Sequence, residues 1–170
     1  EFRRVLFRSP GGVGLRRAAS GAAVWSWKGD CAAIASPTEA AGRLFVLGDG
    51  LAAITAPVPG AVPVWRSTKL SCGMGTPLAW GDAVACINRA GVLVVGDAAS
   101  GLPRAQLRLG GSFWASPILV GRRIVAVNKE GTAFVVSIEG PPAIVGQNEL
   151  PGTFTATPAA ADGKIGRAHV

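Results

Sequence analysis

The chain has 170 residues, 49% of them apolar, and a formal charge of +7 from 17 basic and 10 acidic residues. Length and apolar content support one domain with a sizeable core, and no run approaches the roughly 18 to 20 apolar residues of a membrane span. The three cysteines lack CxxC spacing, which argues against a zinc or dithiol redox centre.

Taken from the N-terminus, residues 1–9 (EFRRVLFRS) resemble the translation of a short sequencing adapter, and residues 165–170 (IGRAHV) resemble the same adapter read on its other strand. Both segments are therefore expected to lie outside the fold, leaving 10–164 as an internal piece of a longer reading frame. Read as natural chain, residues 1–9 would instead be a basic amphipathic arm for membrane or nucleic acid. Setting aside Arg3, Arg4, Arg8, Lys164, Arg167 and Glu1 leaves 12 basic and 9 acidic residues, a charge of +3. The surviving pairs Arg16-Arg17 and Arg122-Arg123 are isolated, so no nucleic-acid footprint forms; they read as solvated strand-edge charges. The only histidine, His169, falls in the excluded tail, so the natural part has no histidine general base or metal ligand.

A Ser/Thr-Pro pair then recurs at Ser36-Pro37, Thr76-Pro77, Ser116-Pro117 and Thr157-Pro158, at intervals of 40, 40 and 41 residues. Glycine marks the turns of each unit. Gly42, Gly81, Gly121 and Gly163 separate the first and second strands, Gly50, Gly91 and Gly131 the second and third, and Gly60, Gly101 and Gly140 precede the fourth. Between them run Leu44-Phe45-Val46-Leu47, Val84-Ala85-Cys86-Ile87 and Ile124-Val125-Ala126-Val127, continuous apolar strands of the kind covered on both faces. A period of this length built from short strands predicts an all-β fold, a partial β-propeller of four-stranded antiparallel blades. The expected blades are 36–75, 76–115 and 116–156, with partial blades at both ends. The stretch 14–28 is the end of a preceding one, its Ser20-Gly21 lying 80 residues before Ser100-Gly101.

Ser20-Gly21 with Trp25, Pro59-Gly60 with Trp65, and Asp97-Ala98-Ala99-Ser100-Gly101 resemble the A-x-D-x-x-T-G-x-x-x-W pattern of pyrroloquinoline-quinone-type (PQQ-type) propeller repeats. The pattern departs from the family where Arg104-Ala105-Gln106 stands in place of the tryptophan. There is no Trp-Asp or Gly-His dipeptide of WD repeats. The family includes quinoprotein dehydrogenases, the propeller lipoprotein of outer-membrane β-barrel assembly, and many members that bind no quinone. The resemblance implies a non-catalytic binding or scaffold module gripping a protein or peptide on one face, in a periplasmic or other extracytoplasmic setting. The alternatives are a fragment of a quinoprotein dehydrogenase using PQQ and calcium, for which the family's adjacent cysteines are missing, and the extracytoplasmic sensor of a receptor or kinase. It also implies that the repeat tryptophans pack between blades.

Other constellations have plain readings. Gly11-Gly12-Val13-Gly14 and Gly91 to Gly96 precede no helix pattern and fit no phosphate-loop spacing, so they are hairpin glycines, and no cofactor is expected. Asp49, Asp82, Asp97, Glu130 and Asp162 fall at turns, unpaired as acid and base. Cys31 and Cys72, 41 residues apart, are roughly equivalent in adjacent blades, which leaves open whether they form a bridge in an oxidising compartment, and Cys86 reads as a buried small hydrophobe. The segments just before each Ser/Thr-Pro should meet at one rim near the central channel. Met74, Phe113, Trp114 and Phe154 are the candidate partner-binding residues there, as exposed apolar anchors; the competing reading has them plugging gaps between blades.

Overall fold

The computed structural model describes residues 4–9, 11–32, 34–55, 58, 60–161 and 164–166. Asp162, Gly163 and His169 lie outside them. The described residues contain no helix. Strands β1 (Arg4–Ser9), β2 (Gly12–Arg17) and β3 (Ala23–Lys28) form a three-stranded sheet. Three four-stranded antiparallel blades follow. They are β4 (Thr38–Ala40), β5 (Arg43–Gly48), β6 (Gly50–Thr55) and β7 (Pro63–Ser67); β8 (Leu78–Trp80), β9 (Ala83–Ile87), β10 (Val92–Asp97) and β11 (Pro103–Arg108); and β12 (Ile118–Val120), β13 (Arg123–Val127), β14 (Thr132–Ser137) and β15 (Ala143–Glu149). The hairpin β16 (Ala159–Ala161) and β17 (Lys164–Gly166) comes last.

The continuous apolar runs are explained by burial on two faces. Along β5, Phe45 and Leu47 pack toward the next blade with Val84, Cys86 and Val94, whereas Leu44 and Val46 pack back onto Val13, Leu15, Trp25 and Trp27. On β9 the same alternation sends Val84 and Cys86 backward and Ala83, Ala85 and Ile87 forward against Ile124, Phe134 and Val136. Each inner strand thus shares side chains between two seams. A register shift recurs between the last two strands of the three-stranded sheet and of each four-stranded blade, at Leu15/Arg16, Ala53/Ile54, Val95/Gly96 and Val135/Val136, adding twist at the same place in each repeat.

The Ser/Thr-Pro period has a direct structural cause. The Ser36 N–H donates to Thr76 Oγ1 (3.1 Å), the Thr76 N–H to Ser116 Oγ (2.9 Å), and the Ser116 N–H to Thr157 Oγ1 (3.2 Å). Each of these three hydroxyls accepts from the backbone of the preceding unit, so the motif forms a chain of hydrogen bonds between the loops that enter successive first strands. The residue before the hydroxyl is small and buried at Ala35, Gly75 and Ala115, where the adjacent blade passes close by.

One sequence expectation is refined and another corrected. Gly42 lies between the first and second strands as expected, but the residue aligned with Gly81 and Gly121 is Ala41, which takes a left-handed φ of 50° next to Gly42 at 69°. A two-residue turn with both central residues left-handed requires this. Residues 4–9 were expected to make few contacts, yet β1 pairs along its length with β2, from Arg4 opposite Arg17 to Ser9 opposite Gly12, and Leu6 packs on the Trp25 cluster. An open strand edge offers unpaired N–H and C=O groups to any extended segment beside it. Lys164 to Gly166 likewise pair with β16.

Candidate functional site

In antiparallel blades the loops into each first strand and the turns between second and third strands share one face. Hydrogen bonds join them: Gly73 N–H to Ile87 O (2.8 Å), Lys129 N–H to Ser112 O (2.7 Å) and Phe154 N–H to Lys129 O (3.1 Å). On this face the position two residues before the Ser/Thr-Pro hydroxyl is occupied in turn by Ile34, Met74, Trp114 and Thr155. Ile34 is 57% and Trp114 43% exposed, and Met74 is half-buried. Three large apolar side chains therefore stand at equivalent places around the rim. Lys129 Nζ sits 5.5 Å from the Trp114 ring centroid, a cation over an aromatic face, and Arg89 occupies the matching turn position forty residues earlier.

The sequence placed Phe113 and Phe154 on the same exposed rim. The structure buries both, Phe113 at 4% and Phe154 at 5% exposure. Phe113 packs on Phe134, with ring centroids 6.1 Å apart. In an extended segment consecutive side chains point to opposite sides, so one of Phe113 and Trp114 had to turn inward. Ile34 was missed, although its spacing ahead of Ser36-Pro37 is that of Met74 and Trp114 ahead of their own motifs.

The opposite face carries the turns between first and second and between third and fourth strands, joined by Ala98 N–H to Asp82 O (2.8 Å) and Ile138 N–H to Arg122 O (3.1 Å). Here the Asp-x-x-Ser-Gly pattern explains itself. Asp97 Oδ1 accepts the Ser100 N–H (2.7 Å) and hydroxyl (2.9 Å), while its other oxygen binds Arg104, which also reaches Asp82 at 2.8 Å. Hydrogen bonds from Ser100, then from Arg104, lower the Asp97 carboxyl from 3.8 to about 2. Arg104 lowers Asp82 as well, and the two carboxylates raise the guanidinium. Gly101 (φ 72°) leaves room for Trp65 of the preceding blade, whose ring lies 2.5 Å from where a Cβ would sit. The Trp65 indole donates to Ala98 O at 3.1 Å, as Trp25 donates to Val58 O at 2.8 Å. The repeat tryptophan is thus an indole lock onto the next blade's turn.

Solved structures share this architecture. The crystal structure of BamB from Moraxella catarrhalis matches with a TM-score of 0.71 at 17% identity, over 95% of this chain and 51% of that one. The computationally designed Ika8 protein matches with a TM-score of 0.78 at 14% identity, over 97% and 52%. The fold is a β-propeller. The chain spans about half the length of these two structures, and no family model or curated protein matches its sequence.

The structure decides the cysteine pairing that spacing left open, and corrects the reading of Cys86 as a plain buried hydrophobe. Cys72 is bonded to Cys86 of β9, with Cα atoms 4.6 Å apart, and not to Cys31, which packs half-buried on the Trp25 cluster. Cys86 lies on the blade face turned toward the Cys72 loop, a relation that a period count does not contain. Among the described residues, no group of three or more His, Cys, Asp or Glu side chains is placed to hold a metal, and no helix is long and apolar enough to cross a membrane. A cleft of about 780 Å³ lies between the third blade and the β16–β17 hairpin, walled by Val125, Val135, Val145 and Ile165. Val145 there stands at the repeat-tryptophan position, eighty residues after Trp65.

Proposed function

We propose that this propeller is a non-catalytic binding module that grips a protein or peptide on the rim bearing Ile34, Met74 and Trp114. The carrying observation is the repetition: at the same position in three successive units the chain places a large apolar side chain, exposed at Ile34 and Trp114 and half-buried at Met74. Aromatic and aliphatic anchors of this kind dominate interface energies, and Lys129 and Arg89 would add steering toward acidic partners. The likeness to BamB at 17% identity gives the fold, and the function is argued from the rim itself. The Cys72–Cys86 bond supports an oxidising compartment, hence a periplasmic or otherwise extracytoplasmic location. No cofactor is assigned to these residues.

Peptides selected from a random library against the chain test the reading. They should shift the resonances of Ile34, Met74 and Trp114, and Trp114→Ala should weaken them by about 2 kcal/mol with a stability loss below about 1 kcal/mol. If Trp114→Ala instead costs the roughly 3 to 5 kcal/mol of a buried tryptophan, or the peptides footprint only elsewhere, the rim is not the site.

A further inference from the structure

The indole lock repeats at two seams and then stops. Trp25 and Trp65 each donate to a carbonyl 33 residues further along, but Ala105 stands forty residues after Trp65, and the Gly101 on which Trp65 lies becomes Pro141. The indole is lost at this seam, and proline stands where Gly101 leaves room for the Trp65 ring. The receiving backbone persists, because Ile138 and Ala98 make the same N–H bond one period apart, to Arg122 O and Asp82 O. What remains is a cleft of about 360 Å³ between Trp80, Asp82, Arg104 and Ala105 of one blade and Ile138 and Pro141 of the next.

We propose that this cleft receives the indole ring of a tryptophan supplied by a partner polypeptide. The two preceding seams show what fills the position when the chain provides it: an indole, edge toward a turn carbonyl. The volume lies within the range of small ligand sites. Its polar wall suits the same group. The guanidinium of Arg104, with 40% of its side chain exposed, can lie on a ring face. Asp82, 82% exposed, and the carbonyl of Ile138 are acceptors that favour a ring carrying an N–H over a phenyl ring. Val62 and Leu102, at equivalent turn positions of the first two complete blades and on the same face as the cleft, are 76% and 66% exposed. This site deepens the protein-binding reading but sits on the face opposite the Trp114 rim, so its test is separate.

The test is a titration of the chain carrying ¹³C-methyl alanine with N-acetyl-tryptophanamide, its phenylalanine counterpart, free indole and a tryptophan-containing hexapeptide. The Ala105 methyl should shift saturably, with tryptophanamide binding about fivefold or more tighter than the phenylalanine analogue. The hexapeptide should bind tighter again. Trp114→Ala should leave these values unchanged, whereas Ala105→Trp, which fills the cleft from within, should abolish the binding. No saturable shift at Ala105, equal affinity for the phenyl ring, or undiminished binding by folded Ala105→Trp overturns the proposal. If Ala105→Trp does not fold, the wild-type titration decides alone. Free indole binding as tightly as the hexapeptide would assign the cleft to a small molecule and overturn the choice of a polypeptide.

Discussion

Trp65→Ala should unlock the seam between the first and second complete blades. The ring loses its hydrogen bond to Ala98 O at 3.1 Å, about 1 kcal/mol, and its tilted contact with Phe45 at 5.9 Å between centroids, about another 1 kcal/mol. Truncation also returns roughly 100 Å² of apolar surface to water, about 2.5 kcal/mol at 25 cal/mol per Å². Trp65 is half-buried, and these terms together come to about 4.5 kcal/mol, within the range for large aromatic truncations. Trp65→Phe keeps most of the apolar contact and the ring pair while losing the N–H, so it should cost about 1 to 2 kcal/mol. Urea unfolding followed by far-ultraviolet circular dichroism measures both without relying on the altered fluorescence. Amide exchange at Gly101 and Leu102 should accelerate in the alanine variant before it does in the third blade. A Trp65→Ala cost below about 1 kcal/mol, or equal costs for alanine and phenylalanine, would refute the lock.

Three other outcomes are expected. Asp97 is lowered from 3.8 to about 2 in the fold, so its stabilising charge is fully present above about pH 4 and is lost as pH falls through that interval; the gap in urea midpoint between wild type and Asp97→Asn should shrink from pH 4 toward pH 2, and a gap that widens on acidification contradicts the assignment. Ala41→Gly, at a left-handed position, should raise stability by about 1 kcal/mol, which thermal unfolding would register; a destabilised variant would show that Ala41 is not strained. Reduction of the bond between Cys72 and Cys86, 14 residues apart in sequence, should lower stability by about 3 kcal/mol, and a Cys31→Ser chain should show the same oxidised-to-reduced difference. Peptide mapping that found Cys31 bonded to Cys72 would overturn the pairing.

The blade architecture was legible because the repeat is local chemistry copied at a fixed interval. A hydroxyl before proline, glycine at the hairpins and an apolar run wide enough for two seams each state what one strand or turn requires, and the period states that neighbours require the same. Even the loss of the third lock shows in sequence, as Ala105 where tryptophan is due. The sequence could not say which of two adjacent residues faces out. Phe113 and Trp114 are both large, aromatic and one position apart; the closure of the Phe134 seam over one of them exposes the other. Nor does spacing choose between Cys31 and Cys86 for Cys72, since a disulfide forms between side chains that share a face, and faces are assigned only when blades pack. The cleft at Ala105 is of the same kind. A missing side chain becomes a cavity only where the surrounding backbone holds its position, and the paired turns at Asp82 and Arg122 hold it.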